Sequence, residues 1–201
     1  MRTFLAEEFI EIDFTDINFR EAELKNCLFV RCRFRGCHIE EVATVRSQFI
    51  DCDFTGAQLN ASSHTGSSFT NCLFGAASLF VAVFKECKMT GSDFAEANLD
   101  GMTIVGGDWS YTNLRYANLS KQKLRGIKLA EADLTEANLE KVDLRDSDLT
   151  RCQLSKTRLN GADLRGALLE GVDFKSMDVK GARMDIGQAV SFLRSYGARV
   201  E

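Results

Sequence analysis

The chain has 201 residues, of which 45% are hydrophobic and 27% charged, and its formal net charge is −4. That balance leaves no basic stripe to grip nucleic acid directly, and no apolar run is long enough for a membrane-spanning helix. Two histidines and seven cysteines, with no H-E-x-x-H, glycine-rich phosphate loop or nucleophile elbow, point away from catalysis, and neither a metal nor a cofactor is implied.

From the first residues onward a bulky apolar side chain recurs at every fifth position: Phe4, Phe9, Phe14, Phe19, Leu24, Phe29, Phe34, Ile39. Five fits neither a helix nor a flat strand. It fits a chain that turns one corner per repeat, so that four corners close a square coil and successive coils stack. Each apolar residue is then the centre of one side and points inward. Two positions before the centre the residue is small, as in Ala22, Cys27, Cys32, Cys37, Ser47 and Cys52; this is a second, narrower inward position. All seven cysteines fall there. Cys32, Cys52 and Cys72 share a face, near enough for a disulfide by backbone spacing but badly aimed; buried free thiols are the alternative. Two positions after the centre glycine gathers (Gly36, Gly56, Gly91, Gly101), as a corner with unusual backbone angles requires.

Thr44 and His64 interrupt the centres, one above the other on the same face. They mark either a satisfied polar pair in the core or a functional dent. Further on, the centres become leucine from Leu114 through Leu169, and the residue before each is usually Asp or Asn, facing water. The period ends near Met184. After it, Asp185 and Gln188 have capping-box spacing and Gly197 stops a short helix. Ile186, Ala189, Val190, Leu193 and Tyr196 share a helical face, with Phe192 beside it. Such a helix can cap the open end of the coils, join two copies, or do both. Two segments are therefore expected: a repeat region over residues 1–184 and a capping or dimerisation tail over 185–201.

Ala132-Asp133-Leu134-Thr135-Glu136 and Ala162-Asp163-Leu164-Arg165-Gly166 carry a family likeness. They resemble pentapeptide repeats, over about nine tenths of the chain. The resemblance implies an all-β, right-handed quadrilateral parallel β-helix with a short C-terminal α-helix. About nine coils rising about 4.8 Å each would make a rod of roughly 43 Å. The Thr44 and His64 interruptions and the tail are similar to those of mycobacterial fluoroquinolone-resistance proteins of this family. That likeness implies a cytoplasmic homodimer joined through the tail, which imitates DNA and binds DNA gyrase or topoisomerase IV. Such binding inhibits the enzyme, protects it from fluoroquinolones or other gyrase poisons, or does both. The dimerisation residues would be Ile186, Ala189, Val190, Phe192, Leu193 and Tyr196.

Summed by face, formal charge is about −4 on the side of Phe9 and about −3 on the adjacent side of Phe14, with screening beyond roughly 8–10 Å ignored. This is sparse beside duplex DNA, at about one charge per 1.7 Å. Candidate gyrase contacts taken from these faces are Asp93, Glu96, Asp108, Asp133, Glu136 and Asp148. Phe80, Val81, Val83, Tyr111 and Tyr116 are read as outward, either as contacts or as scattered surface hydrophobes. The alternative function is an interaction scaffold whose partner is not a topoisomerase.

Overall fold

Two faces of the coil differ from the other two, and the residues around the centres mark the difference. In the computed structural model, which describes residues 2–201, β-branched residues follow the centre where the backbone stays extended: Ile10, Ile50, Val45 and Thr65. Branched side chains favour strands. These sides form three-residue strands: β1 (Thr3–Leu5), β2 (Glu8–Ile10), β3 (Glu23–Lys25), β4 (Leu28–Val30), β5 (Ala43–Val45), β6 (Gln48–Ile50), β7 (Ser63–Thr65), β8 (Ser68–Thr70), β9 (Val83–Lys85) and β10 (Thr103–Val105). They stack in parallel as a six-stranded sheet, β1-β3-β5-β7-β9-β10, and a four-stranded sheet, β2-β4-β6-β8. The pairing is in register at a spacing of twenty residues, Phe4 on Leu24 and Phe9 on Phe29.

The remaining sides are turns. There the centre carbonyl accepts from the third residue on, as Phe14 does from Ile17 N at 2.9 Å. An Asp or Asn before the centre supports the turn: Asp13 Oδ1 accepts from Thr15 N at 3.0 Å and Asn18 Oδ1 from Arg20 N at 2.9 Å. Beyond Val105, Asp or Asn precedes most centres, so strands give way to turns with single bridges such as Asn118–Asn138–Arg158–Asp178.

The chain packs as two compact units, Met1–Asn113 and Leu114–Glu201. In the first, β1 to β10 mark five twenty-residue steps; in the second, Asn118 to Asp178 mark three. The last repeats loosen: a 3-10 turn at Phe174–Ser176 replaces a bridge before α1 (Ile186–Ser195).

The centres form the core. In the first unit Phe29, Phe49 and Phe69 stack at 4.8 and 4.6 Å, nearly parallel, and Phe34, Phe54 and Phe74 at 4.7 and 5.0 Å. In the second unit leucines such as Leu134, Leu139, Leu144 and Leu149 are fully buried. Burial of each such side chain contributes about 1.5–3 kcal/mol.

The small inward position has a second task. Strand sides lack the turn bond, so their centre carbonyl and the amide three residues on need other partners. Ser47 Oγ donates to Leu24 O at 2.9 Å and accepts from Cys27 N at 3.2 Å. Ser92 Oγ likewise donates to Phe69 O at 2.7 Å and accepts from Cys72 N at 3.0 Å. Cys32, Cys52, Cys72 and Cys87 aim their thiols at the carbonyls of Phe9, Phe29, Phe49 and His64 in the coil below. Ser92→Ala is therefore expected to cost about 1–3 kcal/mol, because two buried backbone groups lose their partner. Urea titration of the two proteins measures the difference.

All seven cysteines are buried and free. Burial pushes the thiols of Cys37 and Cys87 up to about 11 and that of Cys152 to about 12. At pH 8 a thiol reagent is expected to label none of them in the folded protein and all of them in denaturant; prompt labelling of the native chain would contradict the buried thiol ladder.

Candidate functional site

The acidic candidates divide between the units. In the first, Asp93 and Glu96 flank the Phe94 centre, and Asp108 precedes Trp109 on the neighbouring side. In the second, Asp133 and Glu136 flank Leu134, and Asp148 precedes Leu149. The four aspartates each serve the turn. Asp93 accepts from Ala95 N at 2.8 Å, Asp108 from Ser110 N at 3.1 Å, Asp133 from Thr135 N at 2.9 Å and Asp148 from Thr150 N at 3.0 Å. Each is half-buried, with one oxygen engaged by the backbone. Of the six, only Glu96 and Glu136 are exposed.

Cations neighbour some of these charges. Asp133 pairs with Arg115 at 3.2 Å and Glu136 with Lys156 at 3.2 Å. Although burial acts to raise it, the bonds from Thr135 and the Arg115 guanidinium hold the Asp133 carboxyl below its ordinary range. Asp143 and Asp163 are bound by Arg145 and Arg165 at 2.7 and 2.6 Å. The acidic character of the second unit is thus partly neutralised on its own surface, and exposed pairs of this kind contribute little to stability.

Thr44 and His64 meet in the core. His64 Nδ1 lies 2.8 Å from Thr44 Oγ1, and its Nε2 lies 2.9 Å from Ser62 Oγ. Thr44 donates to Ser67 Oγ at 2.9 Å, and Ser67 donates to Thr65 O at 3.4 Å. The Thr44 oxygen is therefore left to accept from Nδ1–H, and Ser62 donates to Nε2. A neutral imidazole satisfies every member. Its ring stacks on Phe84 at 4.6 Å, and burial lowers its pKa to about 3. The adjacency follows from the period; the flanking serines do not, because serine at the small inward position looks like any other small residue.

The tail folds as expected from its caps. Asp185 accepts from Gln188 N at 2.9 Å and Gln188 Oε1 accepts from Asp185 N at 3.0 Å. Gln188 is the buried residue of the helix; its Nε2 donates to Leu164 O at 2.6 Å and Ala167 O at 2.8 Å. Phe192 leans on Phe174 at 5.8 Å. These contacts cap the last coil of the second unit. The other candidate residues look outward: Ile186 is 86% exposed, Tyr196 57% and Leu193 48%, Ala189 is exposed and Val190 half-buried. The polar Gln188, outside the apolar stripe, is thus the residue that docks the helix.

Phe80, Val81, Val83, Tyr111 and Tyr116 are all exposed. Val81 has φ 53° and Tyr111 φ 61°, left-handed values that a bulky side chain rarely adopts. Among the described residues no helix is long and apolar enough to cross a membrane.

The description "pentapeptide repeat region" matches residues 77–149, and "pentapeptide repeats (8 copies)" matches 9–42 and 147–185. Among solved structures the chain is similar to a trypsin-treated form of QnrB1, a plasmid-mediated fluoroquinolone resistance protein. The identity is 21% over 99% of both chains, with a TM-score of 0.86. A second trypsin-treated form gives 21% identity, 98% and 99% coverage and a TM-score of 0.84. Full-length QnrB1 gives 19% identity, 98% and 100% coverage and a TM-score of 0.71. At these identities the likeness establishes the fold. No curated protein sequence matches the chain.

Proposed function

Because the chain belongs to the pentapeptide-repeat proteins, we propose that it is an interaction protein that imitates DNA and binds DNA gyrase or topoisomerase IV. Inhibition of the enzyme, its protection from fluoroquinolones or other gyrase poisons, or both would follow. The likeness in fold to a fluoroquinolone resistance protein over nearly the whole length of both chains carries this reading. The carboxylates Asp93, Glu96, Asp108, Asp133, Glu136 and Asp148 stand in for phosphates, and the enzyme's basic DNA-binding surface receives them. The protein is cytoplasmic in this reading, touches no nucleic acid directly, and is a homodimer of the mycobacterial type. The outward stripe Ile186, Leu193 and Tyr196 supports the dimer, because apolar residues this exposed gain by pairing with a second copy.

The deciding experiment is a gyrase supercoiling titration with and without a fluoroquinolone, scoring supercoiled and cleaved DNA. Less supercoiling alone marks an inhibitor. Less drug-stabilised cleavage with supercoiling retained marks a protector. No effect at a large excess rejects the reading.

The turn geometry dictates how the acidic residues are tested. Asn98, Asn118 and Asn138 support the same turn as the aspartates do. Asp→Asn at 93, 108, 133 and 148, with Glu96→Gln and Glu136→Gln, therefore removes charge and keeps the coil. Together these changes are expected to weaken gyrase binding at least about tenfold at low salt, and less as salt rises. Unchanged binding in a folded variant would exclude the acidic faces. The exposed Phe80, Val81 and Val83 favour a second reading, an interaction scaffold for a partner other than a topoisomerase, since an apolar patch has no counterpart on a DNA backbone.

A further inference from the structure

The first coil has an open lower edge. In the coils above it the residue before a centre characteristically donates its N–H downward and offers its C=O downward, and the residue after the centre offers a second C=O. Arg33 N reaches Ile12 O at 3.0 Å, Arg33 O receives Phe14 N at 2.8 Å, and Arg35 O receives Asp16 N at 3.2 Å. Among the described residues, no coil lies beneath the equivalent groups of the first coil. Its lower edge therefore presents two acceptors for each donor, and β1 and β2 are the terminal strands of their sheets.

Two further features coincide at this edge. The rings of Phe4, Phe9 and Phe14 are only half-buried, whereas Phe29 and Phe34 above them are fully so. The small inward position, filled by Cys32 and Cys37 one coil higher, holds Ile12 and Ile17 here, 42% and 44% exposed. The coil is also acidic: Glu7, Glu8, Glu11, Asp13, Asp16 and Glu21 stand against Arg2 and Arg20. Arg31 and Arg33 of the next coil reach Glu11 and Asp13, and Arg20 is engaged by Glu40, so among the described residues Glu7, Glu8, Asp16 and Glu21 are the carboxylates of the rim without an ion pair.

We propose that this end is a docking edge for an extended basic segment of another protein, which pairs as one more rung and lays apolar side chains on Phe4, Phe9, Ile12 and Ile17. Three complementarities select that occupant. Surplus carbonyls need donors, which lysine and arginine side chains supply in addition to the backbone. The carboxylate rim attracts cations. The half-covered rings need apolar residues on alternate positions of a strand. A second copy meeting this edge face to face fails on two counts, acceptors against acceptors and carboxylates against carboxylates. Head-to-tail addition is blocked by the tail, where Gln188 and Asp185 already occupy backbone groups of the last coil. The proposal is independent of the topoisomerase reading.

The test uses the full chain and two dye-labelled peptides, one alternating lysine with valine and one alternating glutamate with valine. Fluorescence anisotropy reads binding, and amide hydrogen exchange reads Glu8, Asp13 and Asn18. The basic peptide is expected to bind at least about tenfold more tightly than the acidic one and to slow exchange at those amides. Glu8→Lys with Asp16→Lys is expected to abolish that preference; both positions tolerate lysine, since Lys88 and Lys121 occupy the matching places elsewhere. Asp100→Asn, exposed and away from the edge, is expected to leave that preference unchanged. Equal binding of the two peptides, no binding, or binding untouched by the rim variant would overturn the proposal and leave the acidic rim as a guard against self-pairing alone.

Discussion

Phe54→Ala is expected to destabilise the protein by about 3–5 kcal/mol, the range for truncating a fully buried aromatic ring. Phe54 lies between Phe34 and Phe74 at 4.7 and 5.0 Å with interplanar angles of 3° and 5°, and Phe49 and Phe69 meet it at an angle. The coil walls above and below are hydrogen-bonded in register, so they cannot collapse into the space. Phe54→Leu keeps most of the volume and loses the stacking, and should cost about 1–2 kcal/mol. Guanidinium titration of the three proteins gives both numbers. A Phe54→Ala cost near that of Phe54→Leu would mean that the column relaxes and that stacked rings add little beyond their area.

The second large effect is a pH dependence placed in the core. His64 has a folded pKa of about 3 against an ordinary 6.5, so the fold favours its neutral form. That contribution is complete above pH 6.5 and is lost as pH falls from there through 3, by at most about 1.4 kcal/mol per pH unit. Protonation would also place Nε2–H against the Ser62 hydroxyl that now donates to it. His64→Leu removes the titration and leaves Ser62 without its acceptor, so at pH 7 it should be less stable by about 1–3 kcal/mol. The deficit should shrink below pH 6.5 and then reverse. Glu40 and Asp163, both held near 2 by arginine partners, lose stability in the same acid direction in both proteins, so the difference between the two curves isolates the histidine. A constant difference from pH 7 to pH 4 would show that the imidazole takes up its proton in the fold as readily as in the unfolded chain.

Much of the architecture was legible because the period is geometric. Spacing alone placed Phe4 on Leu24, Thr44 on His64 and the seven cysteines inside. The division into strand sides and turn sides was not read, although its signal is present: branched residues after the centre at Ile10, Ile50, Val45 and Thr65, and Asp or Asn before it at Asp13, Asn18, Asp53 and Asp93. These are competing local preferences, and a five-residue average hides them. The same omission blurred the site. In the sequence Asp93, Asp108, Asp133 and Asp148 read as surface charge, but each also ties its own turn, so charge and fold share one side chain. The hydroxyl and thiol ladder is hidden in the sequence for a different reason. Ser47 and Ser92 earn their place by what the coil below lacks, and that deficit exists only once the strand sides are known. In the tail the apolar stripe suggested the buried face, yet Gln188 is buried, because coil-end carbonyls demand a donor that no apolar residue has.

The left-handed corners have an evolutionary consequence. Ala6, Glu11, Asn26, Val81, Tyr111 and Lys121 all sit at φ between 50° and 62°, in the same corner position that glycine takes elsewhere. A corner that carries aliphatic, acidic, aromatic and basic side chains alike, despite the left-handed angle, leaves the surface wide latitude. Lineages of such a coil can exchange their entire exterior while the centres and small inward residues hold the register. Sequence identity then drifts down toward the share of positions that the interior dictates, and stops mattering as a guide to shape. Two chains that agree at 21% of positions can then share the coil with a TM-score of 0.86.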